Sequence, residues 1–233
     1  MHDLAIQGGK NVAQTGRMVR ALYLAAIIAT SALGILHLSR LIDLIGPTSW
    51  IPLLAGLLVG AMAADLVTGL VHWGCDTWGD EETPWIGSGL IRWFRAHHRE
   101  PRAMLEHDWI DVNGAPAIAA SAAFLLLPFL GLESAFGYAV AWSLIGAGAL
   151  ANQFHQWAHM GSPPLVVRKL QRSGLILSRV RHARHHVGHT GGYCISTGWL
   201  NGLLDATGFW RALERSVAFV TGAEPRADPR NRS

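Results

Sequence analysis

Histidine is the residue type whose placement in this sequence most directly indicates chemistry. The chain contains twelve histidines, and ten of them fall between residues 72 and 189, in short groups near the ends of apolar stretches. Neutral imidazole is a ligand suited to iron, zinc or copper. Because ten candidate ligands exceed what one ion needs, the pattern predicts a site for two metal ions held close together.

The histidine spacing places several rings on one helix face. Residues three and four apart on a helix are neighbours on its surface. His155 and His159 therefore point the same way, and so do His182, His185 and His186. Each group can direct several ring nitrogens at one small volume without straining the backbone. We predict that these histidines are metal ligands whose replacement abolishes activity.

Further histidines are predicted to complete this site. His72 closes an apolar run, His98 and His107 lie in the loop that follows it, and His189 follows the last group. All of these are predicted metal ligands. His97, beside His98, is predicted to take part in the chemistry. The sequence leaves open whether His97 or His189 binds metal.

Three polar residues lie close enough in sequence to the histidines to support them. Asp76 lies four residues after His72, and Asp108 adjoins His107. Either carboxylate could orient an imidazole by accepting its distal N–H, or could be a solvated loop residue. Asn152 lies one turn before the next histidine group, where it either contacts a metal-bound water or satisfies backbone at a helix end.

The apolar residues predict helices that cross a membrane. Hydrophobic residues make up 50% of the chain and charged residues only 15%, which is low for a soluble protein. Four apolar runs are long enough to cross most of a hydrocarbon core of about 30 Å. The first could instead be a cleaved signal peptide, although its length favours a span. These runs cover residues 21–38, 50–71, 115–132 and 135–154.

The basic residues predict the orientation of these spans. Of the nineteen Lys and Arg residues, eighteen lie in residues 1–20, in the segment 72–114 or after residue 155. Only Arg40 lies in a loop on the opposite side. With an even number of spans, the positive-inside rule places all three basic regions and both termini in the cytoplasm.

The predicted fold is an all-α, multi-pass integral membrane protein of about four spans, with a cytoplasmic histidine-rich cap that binds two metals. A cytoplasmic arm (1–20) precedes a membrane domain (21–223). The cap is formed by the segments 72–114 and 155–215. The tail from residue 224 to 233 carries Pro225, Pro229 and alternating charge, which predicts disorder.

Charge and cysteine content exclude other classes of protein. The net charge of +3 could suggest a nucleic-acid partner, but the basic residues flank apolar spans, as membrane topology requires. We therefore expect no nucleic acid. Cys75 and Cys194 cannot build a disulfide framework and are predicted to be reduced. Arg95, Arg99 and Arg102 are candidate contacts for a lipid phosphate, although topology alone also explains basic residues there.

The types of the candidate ligand residues indicate which metals the site could bind. Helical di-iron proteins that use bridging carboxylates carry Glu-x-x-His pairs, and the sequence has none. A structural zinc site needs about four ligands, usually including cysteine, and would leave most of the histidines unexplained. A histidine-rich site for two metals above a membrane suits activation of oxygen for attack on an unactivated C–H bond of a lipid.

Several short motifs occur together between residues 55 and 228. In this combination the sequence resembles the plasmanylethanolamine desaturases, also called Kua or CarF-like lipid desaturases, whose plant relatives desaturate an acyl chain of phosphatidylglycerol. Arg181 departs from the pattern, since some relatives carry another histidine there. The motifs include Asp65-x-x-x-Gly69-x-x-His72-Trp73, Phe94-Arg95-x-His97-His98, His107-Asp108-x-Ile110-x-x-Asn113-Gly114, Asn152-Gln153-x-His155-x-Trp157-x-His159, His182-x-x-His185-His186 and Thr197-Gly198-Trp199-Leu200-Asn201.

The resemblance implies an oxidoreductase with two iron ions (Fe²⁺) that uses O₂ as co-substrate. Its substrate would be a membrane phospholipid, and its electrons would come from a cytoplasmic donor of the cytochrome b5 or ferredoxin type. Ether-lipid members remove hydrogens from carbons 1 and 2 of the sn-1 alkyl chain, which gives the vinyl ether of plasmalogens. The alternatives are a desaturase or hydroxylase of ester-linked acyl chains with the same iron site, or a non-catalytic membrane regulator that binds metal or lipid.

Overall fold

The computed structural model of the protein describes residues 16–46 and 49–226. Within these ranges the regular structure is entirely helical. Most of the predicted amino-terminal arm and of the predicted disordered tail lies outside the described residues. The last residues of that arm begin the first helix at Arg17.

Four of the helices are long and apolar enough to cross a membrane, which confirms the predicted all-α fold with about four spans. Each one extends beyond its predicted run at the end nearest the histidines, so the site stands on rigid helical ends. These helices are α1 (Arg17–Asp43), α2 (Trp50–Thr77), α4 (Trp109–Leu126, continued by a 3₁₀ turn to Leu130) and α5 (Ala135–His159).

Shorter helices build the cap over one end of this bundle. The helix α3 lies between α2 and α4, and the others follow α5. A loop without regular structure, residues 189–200, joins the histidine-bearing α7 to the last two helices. The cap helices are α3 (Arg92–Arg99), α6 (Leu165–Arg172), α7 (Arg179–Gly188), α8 (Asn201–Ala206) and α9 (Phe209–Thr221).

The long helices pack as two parallel pairs, α1 with α4 and α2 with α5. The Thr30 hydroxyl of α1 donates to the Ala117 carbonyl of α4 at 2.8 Å, and Arg20 forms an ion pair with Asp108 at the start of α4. The carboxyl ends of α2 and α5 consequently lie at the same end of the bundle as the amino ends of α1 and α4. This arrangement brings the histidines of α2 and α5 together.

Two glycines on one face of α2 allow its backbone to approach α5 closely. A Cβ atom added at Gly56 would lie 2.5 Å from the carbonyl oxygen of Phe136, and one at Gly60 would collide with the carbonyl oxygen of Val140. Small residues four positions apart commonly permit such contacts between membrane helices. The contact fixes the position of α2 along α5, and hence of His72 relative to His155.

The variant Gly60→Ala tests this close contact. The added methyl group would meet Val140 and also Ser143 Cβ at 2.8 Å, so the helices must separate. We expect a loss of about 1–3 kcal/mol of stability, together with a lower metal content. Gly148→Ala in α5 is the matched control, because its Cβ meets nothing within 4 Å. A thermal melt of the detergent-solubilised proteins measures both, and equal melting temperatures would contradict the packing argument.

His37 is part of the bundle interior. Only 5% of it is exposed, although it lies toward the end of α1 that is far from the histidine-rich cap. One ring nitrogen donates to the Phe124 carbonyl at 2.9 Å, and the other accepts from the Tyr138 hydroxyl. The ring therefore joins α1 to α4 and α5, and its role is structural.

Candidate metal centre

The cap and the ends of α2 and α5 bring two adjoining groups of side chains together, each able to hold a metal ion. Within each group the candidate ligand atoms lie within 4.8 Å of one another. The five-histidine group consists of His97, His155, His159, His182 and His186, and the aspartate group consists of His72, Asp76, His98 and His185.

The two groups adjoin because two cap helices contribute to both. Consecutive positions on α3 point in different directions, so His97 enters the five-histidine group and His98 enters the aspartate group. On α7, His185 faces the aspartate group while His186 faces the other. The rings of His98 and His186 are only 5.0 Å apart between centroids. This geometry suits two metal ions held side by side.

In the five-histidine group the ring nitrogens face one another. His182 Nε2 lies 2.8 Å from both His155 Nε2 and His186 Nε2, and His97 Nε2 lies 3.1 Å from His186 Nε2. If His182 Nε2 carries a proton, it can donate that proton to only one of its two neighbouring ring nitrogens. At least one nitrogen lone pair in the group therefore has no hydrogen-bond donor. Nitrogens bound at about 2.1 Å to one ion lie about 3.0–3.4 Å apart, so the group fits a cation.

In the aspartate group, backbone carbonyls orient two of the imidazoles. His72 Nδ1 donates to the Tyr193 carbonyl at 3.0 Å, and His185 Nδ1 donates to the Gly191 carbonyl at 2.7 Å. This fixes the tautomer in which Nε2 carries the free lone pair, as is usual for metal-bound histidine. Both rings therefore present Nε2 to the centre of the group.

Asp76 belongs to this group as a candidate ligand. Its Oδ2 atom lies 2.9 Å from His98 Nε2, 3.3 Å from His72 Nε2 and 3.6 Å from His185 Nε2. The sequence predicted a supporting role for Asp76 outside the ligand set. A set of imidazoles with one carboxylate is the combination that non-haem iron sites use, so the donor set fits iron.

Burial keeps the cap histidines neutral. Loss of solvation lowers the pKa of His97 to about 2 and that of His186 to about 3, and neighbouring histidines act in the same direction. Burial also holds the pKa of His182 and His185 well below the usual imidazole value. Since a ligand imidazole must be unprotonated, these rings are ready to bind metal at physiological pH.

Two of the predicted histidines lie outside both groups. His107 is half-buried with its ring 6.2 Å from that of Trp93, and it belongs to neither group. His189 ends α7 in a left-handed conformation with φ of 52°, and its ring lies 4.8 Å from that of His98. His189 therefore borders the aspartate group without joining it, whereas the structure brings the other eight predicted histidines into the groups.

The remaining predicted support residues make other contacts. Asp108 caps the start of α4 by accepting from the amides of Ile110 and Asp111, and it pairs with Arg20. The Asn152 amide donates to the Val112 carbonyl at 3.4 Å. Both contacts hold helix ends in place, and neither touches an imidazole.

The three arginines predicted to meet a lipid phosphate differ in their environments. Arg95 is buried, and its guanidinium donates to the carbonyls of Cys75, Trp78 and Gly79. It therefore joins α3 to the end of α2. Arg99 forms an ion pair with Glu81 at 3.2 Å, and Arg102 is exposed.

Asp65 is a completely buried carboxylate that the sequence motifs alone did not identify as part of the site. Its Oδ1 accepts from the Ser196 hydroxyl and from the amides of Thr197 and Gly198, at 2.9–3.0 Å, and its Oδ2 accepts from the Leu200 amide at 3.1 Å. These bonds anchor the 189–200 loop to α2, including the carbonyl that orients His72. The sequence signal that could have identified this residue is the position of a carboxylate inside an apolar span.

Asp65→Asn should loosen this anchor. The side-chain amide of Asn would place an N–H group against the N–H and O–H donors from which the Asp65 carboxylate accepts. A buried donor without an acceptor costs about 1–3 kcal/mol. We expect a lower melting temperature and a weaker hold on metal, because the Tyr193 carbonyl no longer fixes the His72 ring. Asp43→Asn is the control, since Asp43 is exposed at the end of α1. Identical melting and metal content in the two variants would contradict the anchoring role.

Four membrane-spanning helices beneath two groups of histidine-rich ligands define a helical integral membrane protein with a candidate two-metal site. The chain belongs to the lipid desaturase family, whose domain matches residues 61–228. It is accordingly an oxidoreductase of lipid metabolism. The resemblance inferred from the motifs is confirmed.

Named relatives cover most of the chain. Plasmanylethanolamine desaturase of Myxococcus xanthus is 38% identical over 214 residues, which are 90% of this chain and 76% of the relative. Plasmanylethanolamine desaturase 1 of Mus musculus is 40% identical over 189 residues, 74% of this chain and 68% of the relative. The chloroplastic fatty acid desaturase 4 of Arabidopsis thaliana is 38% identical over 184 residues, 76% of this chain and 54% of the relative. No solved structure is significantly similar.

Proposed function

We propose that this protein is a di-iron, O₂-dependent desaturase that forms the vinyl ether bond of plasmalogens from plasmanyl phospholipids. The observation that carries the proposal is the pair of adjoining ligand groups, one of imidazoles alone and one with the carboxylate of Asp76. The two relatives named plasmanylethanolamine desaturase support the choice of substrate.

The reaction balances with O₂ and two electrons. Two hydrogen atoms leave carbons 1 and 2 of the sn-1 alkyl chain, and a double bond forms between these carbons. Together with two electrons and two protons from a donor, they reduce O₂ to two molecules of water. When bound, the irons supply the redox chemistry that activates oxygen for attack on an unactivated C–H bond.

The residues of the chain hold and isolate this centre. The two ligand groups provide the donors, and the carbonyls of Tyr193 and Gly191 keep two imidazoles in the required tautomer. His72 and His155 are completely buried, and His182 and His185 are 1% exposed, so these rings are shielded from bulk water. Such shielding protects a reactive centre from side reactions.

The proposed orientation places the site and both termini on the cytoplasmic side, within reach of a donor of the cytochrome b5 or ferredoxin type. Ile45→Cys and Ser162→Cys, in a background without the native cysteines, test it. Both positions are exposed and lie at opposite ends of the bundle. A membrane-impermeant thiol reagent applied to intact cells should label residue 45 and spare residue 162. The reverse pattern would show that the orientation is inverted.

Lipid analysis tests the activity directly. A host that has ether lipids but lacks plasmalogens should gain acid-labile vinyl ethers when it expresses this chain, with iron as the bound metal. The double variant His155→Ala, His182→Ala is the control and should give none. The proposal would be contradicted if the protein were inserted in the membrane but contained zinc alone and left the lipids unchanged.

The Arabidopsis relatives support a second candidate, desaturation of an ester-linked acyl chain at the same site, because they are named fatty acid desaturases. The same experiment separates the two. A new double bond in an acyl chain released by saponification, without vinyl ethers, would identify this second activity.

A further inference from the structure

A charged cavity of about 240 Å³ opens beside the aspartate group. Two members of that group, Asp76 and His98, form part of its wall, so the cavity reaches the candidate metal centre directly. Pockets for whole drug-sized ligands have volumes of about 300–1,000 Å³, so this cavity suits a headgroup better than a complete lipid. Four arginines line it: Arg95, Arg99, Arg211 and Arg226.

We infer that this cavity holds the phosphate of the phospholipid substrate, with Arg211 and Arg226 as its cationic contacts. The inference rests on the proposed function and identifies where the headgroup lies. The arginines of the wall outnumber its two carboxylates, Asp76 and Glu214, so the cavity attracts an anion. Arg211 and Arg226 are the two arginines that the carboxyl-terminal part of the chain adds to the cavity wall, beside Asp76 and His98.

Both arginines are held against the end of α2. The backbone amide of Arg226 donates to the Thr77 carbonyl at 2.8 Å, which ties the end of the described chain to the cavity wall. Arg211 follows Trp210, whose ring stacks on Trp73 of α2 with centroids 6.1 Å apart. Arg211 also pairs with Glu214 at 2.7 Å, which orients its guanidinium. The fold thus positions both cations next to the aspartate group.

The covalent structure of a phospholipid requires the phosphate to lie near the reacting carbons. Six bonds separate the phosphorus from carbon 1 of the sn-1 alkyl chain. An extended chain advances about 1.2 Å per bond, so the two are at most about 7 Å apart. If carbons 1 and 2 react at the metal centre, the phosphate must occupy a cavity that opens on that centre, as this one does.

The depth of the cavity in the membrane agrees with this assignment. Helix α2 has 28 residues and is therefore about 42 Å long. A bilayer has a hydrocarbon core of about 30 Å and a total thickness of about 40–45 Å. The last residues of α2, Asp76 and Thr77, therefore lie at the level of the headgroups, and both line the cavity.

A larger cavity of about 540 Å³ is less suited to this role. Of the candidate ligands it touches His185 alone, and the Gly191 carbonyl that binds the back of that ring belongs to the same wall. The ligand nitrogen of His185 points away, toward His98 and Asp76. A phosphate there would be separated from the centre by the 189–200 loop.

The test compares Arg211→Gln and Arg226→Gln, singly and together, with Arg215→Gln. Arg215 is exposed on α9 and does not line the cavity. Binding to the purified full chain is titrated by tryptophan fluorescence without oxygen, so that turnover is not required. The probes are an alkyl-acyl-glycerophosphoethanolamine, the alkyl-acyl-glycerol that lacks its phosphate, and inorganic phosphate.

We expect the double variant to bind the phospholipid at least about tenfold more weakly, because charge-assisted hydrogen bonds are lost. Arg215→Gln should match the wild type, and the phosphate-free lipid should bind weakly and equally to all variants. Wild-type affinity for the phospholipid in the double variant would overturn the assignment. Loss of affinity for inorganic phosphate alone would also overturn it, since the cavity would then hold free phosphate.

The result is distinguishable from failure of the proposed function. If the wild type carries no iron and changes no lipid, the proposed activity fails, while the binding comparison still reports on the cavity. If the wild type desaturates its lipid and the arginine variants keep their affinity, the assignment of the cavity alone fails.

Discussion

The His182→Ala variant is expected to lose desaturation completely and to retain about one iron per chain in place of about two. His182 Nε2 faces both His155 and His186 at 2.8 Å, so its ring is at the centre of the five-histidine group. It is also buried, with only 1% of the residue exposed. Iron measured by mass spectrometry and vinyl ethers measured in the same membranes check both effects.

His107→Ala is the informative comparison for this prediction. The sequence treats His107 as a ligand, whereas the structure places it outside both groups. The Gln156 amide bonds to the His107 backbone carbonyl at 3.0 Å, and this contact survives removal of the ring. We expect near-normal iron content. An iron-free His107→Ala protein, or a fully active His182→Ala protein inserted in the membrane, would show that the groups are assigned wrongly.

Much of the fold could be predicted because long apolar runs and helical histidine spacing are local signals. The spans at α2 and α5 follow from hydropathy, and the common direction of His155 and His159 follows from their four-residue separation. What could not be predicted was the pairing of α2 with α5. That pairing depends on the contacts of Gly56 and Gly60 across the bundle, which no local pattern specifies.

The division of the site into two groups also depends on tertiary packing. Adjacent histidines such as His97 and His98 look equivalent in sequence, yet the turn of α3 sends them to different groups. The distant partners of Asp65 lie more than 130 residues away along the chain. Sequence spacing carries information within a helix, and the structure was needed to show which helices meet.

The second large effect is expected for Asp76→Ala. The carboxylate faces three imidazoles at 2.9–3.6 Å, and it is the only carboxylate that the described residues place in either group. Its removal takes away the anionic ligand of the aspartate group and leaves three neutral rings. We expect loss of one iron per chain and a fall in activity of at least about 100-fold, more than changes beyond the ligand shell produce.

Asp108→Ala is the matched control, because the sequence predicted the same supporting role for both aspartates. The Asp108 side chain is 51% exposed and caps α4, so its loss should cost about 1 kcal/mol. Iron content should then remain at the wild-type level. If both variants lost iron equally, the loss would reflect lower stability of the whole protein, and Asp76 would not be a ligand. If Asp76→Ala alone retained both irons, the aspartate group would need another anionic partner, and the phosphate assigned to the adjoining cavity would be the first candidate to examine.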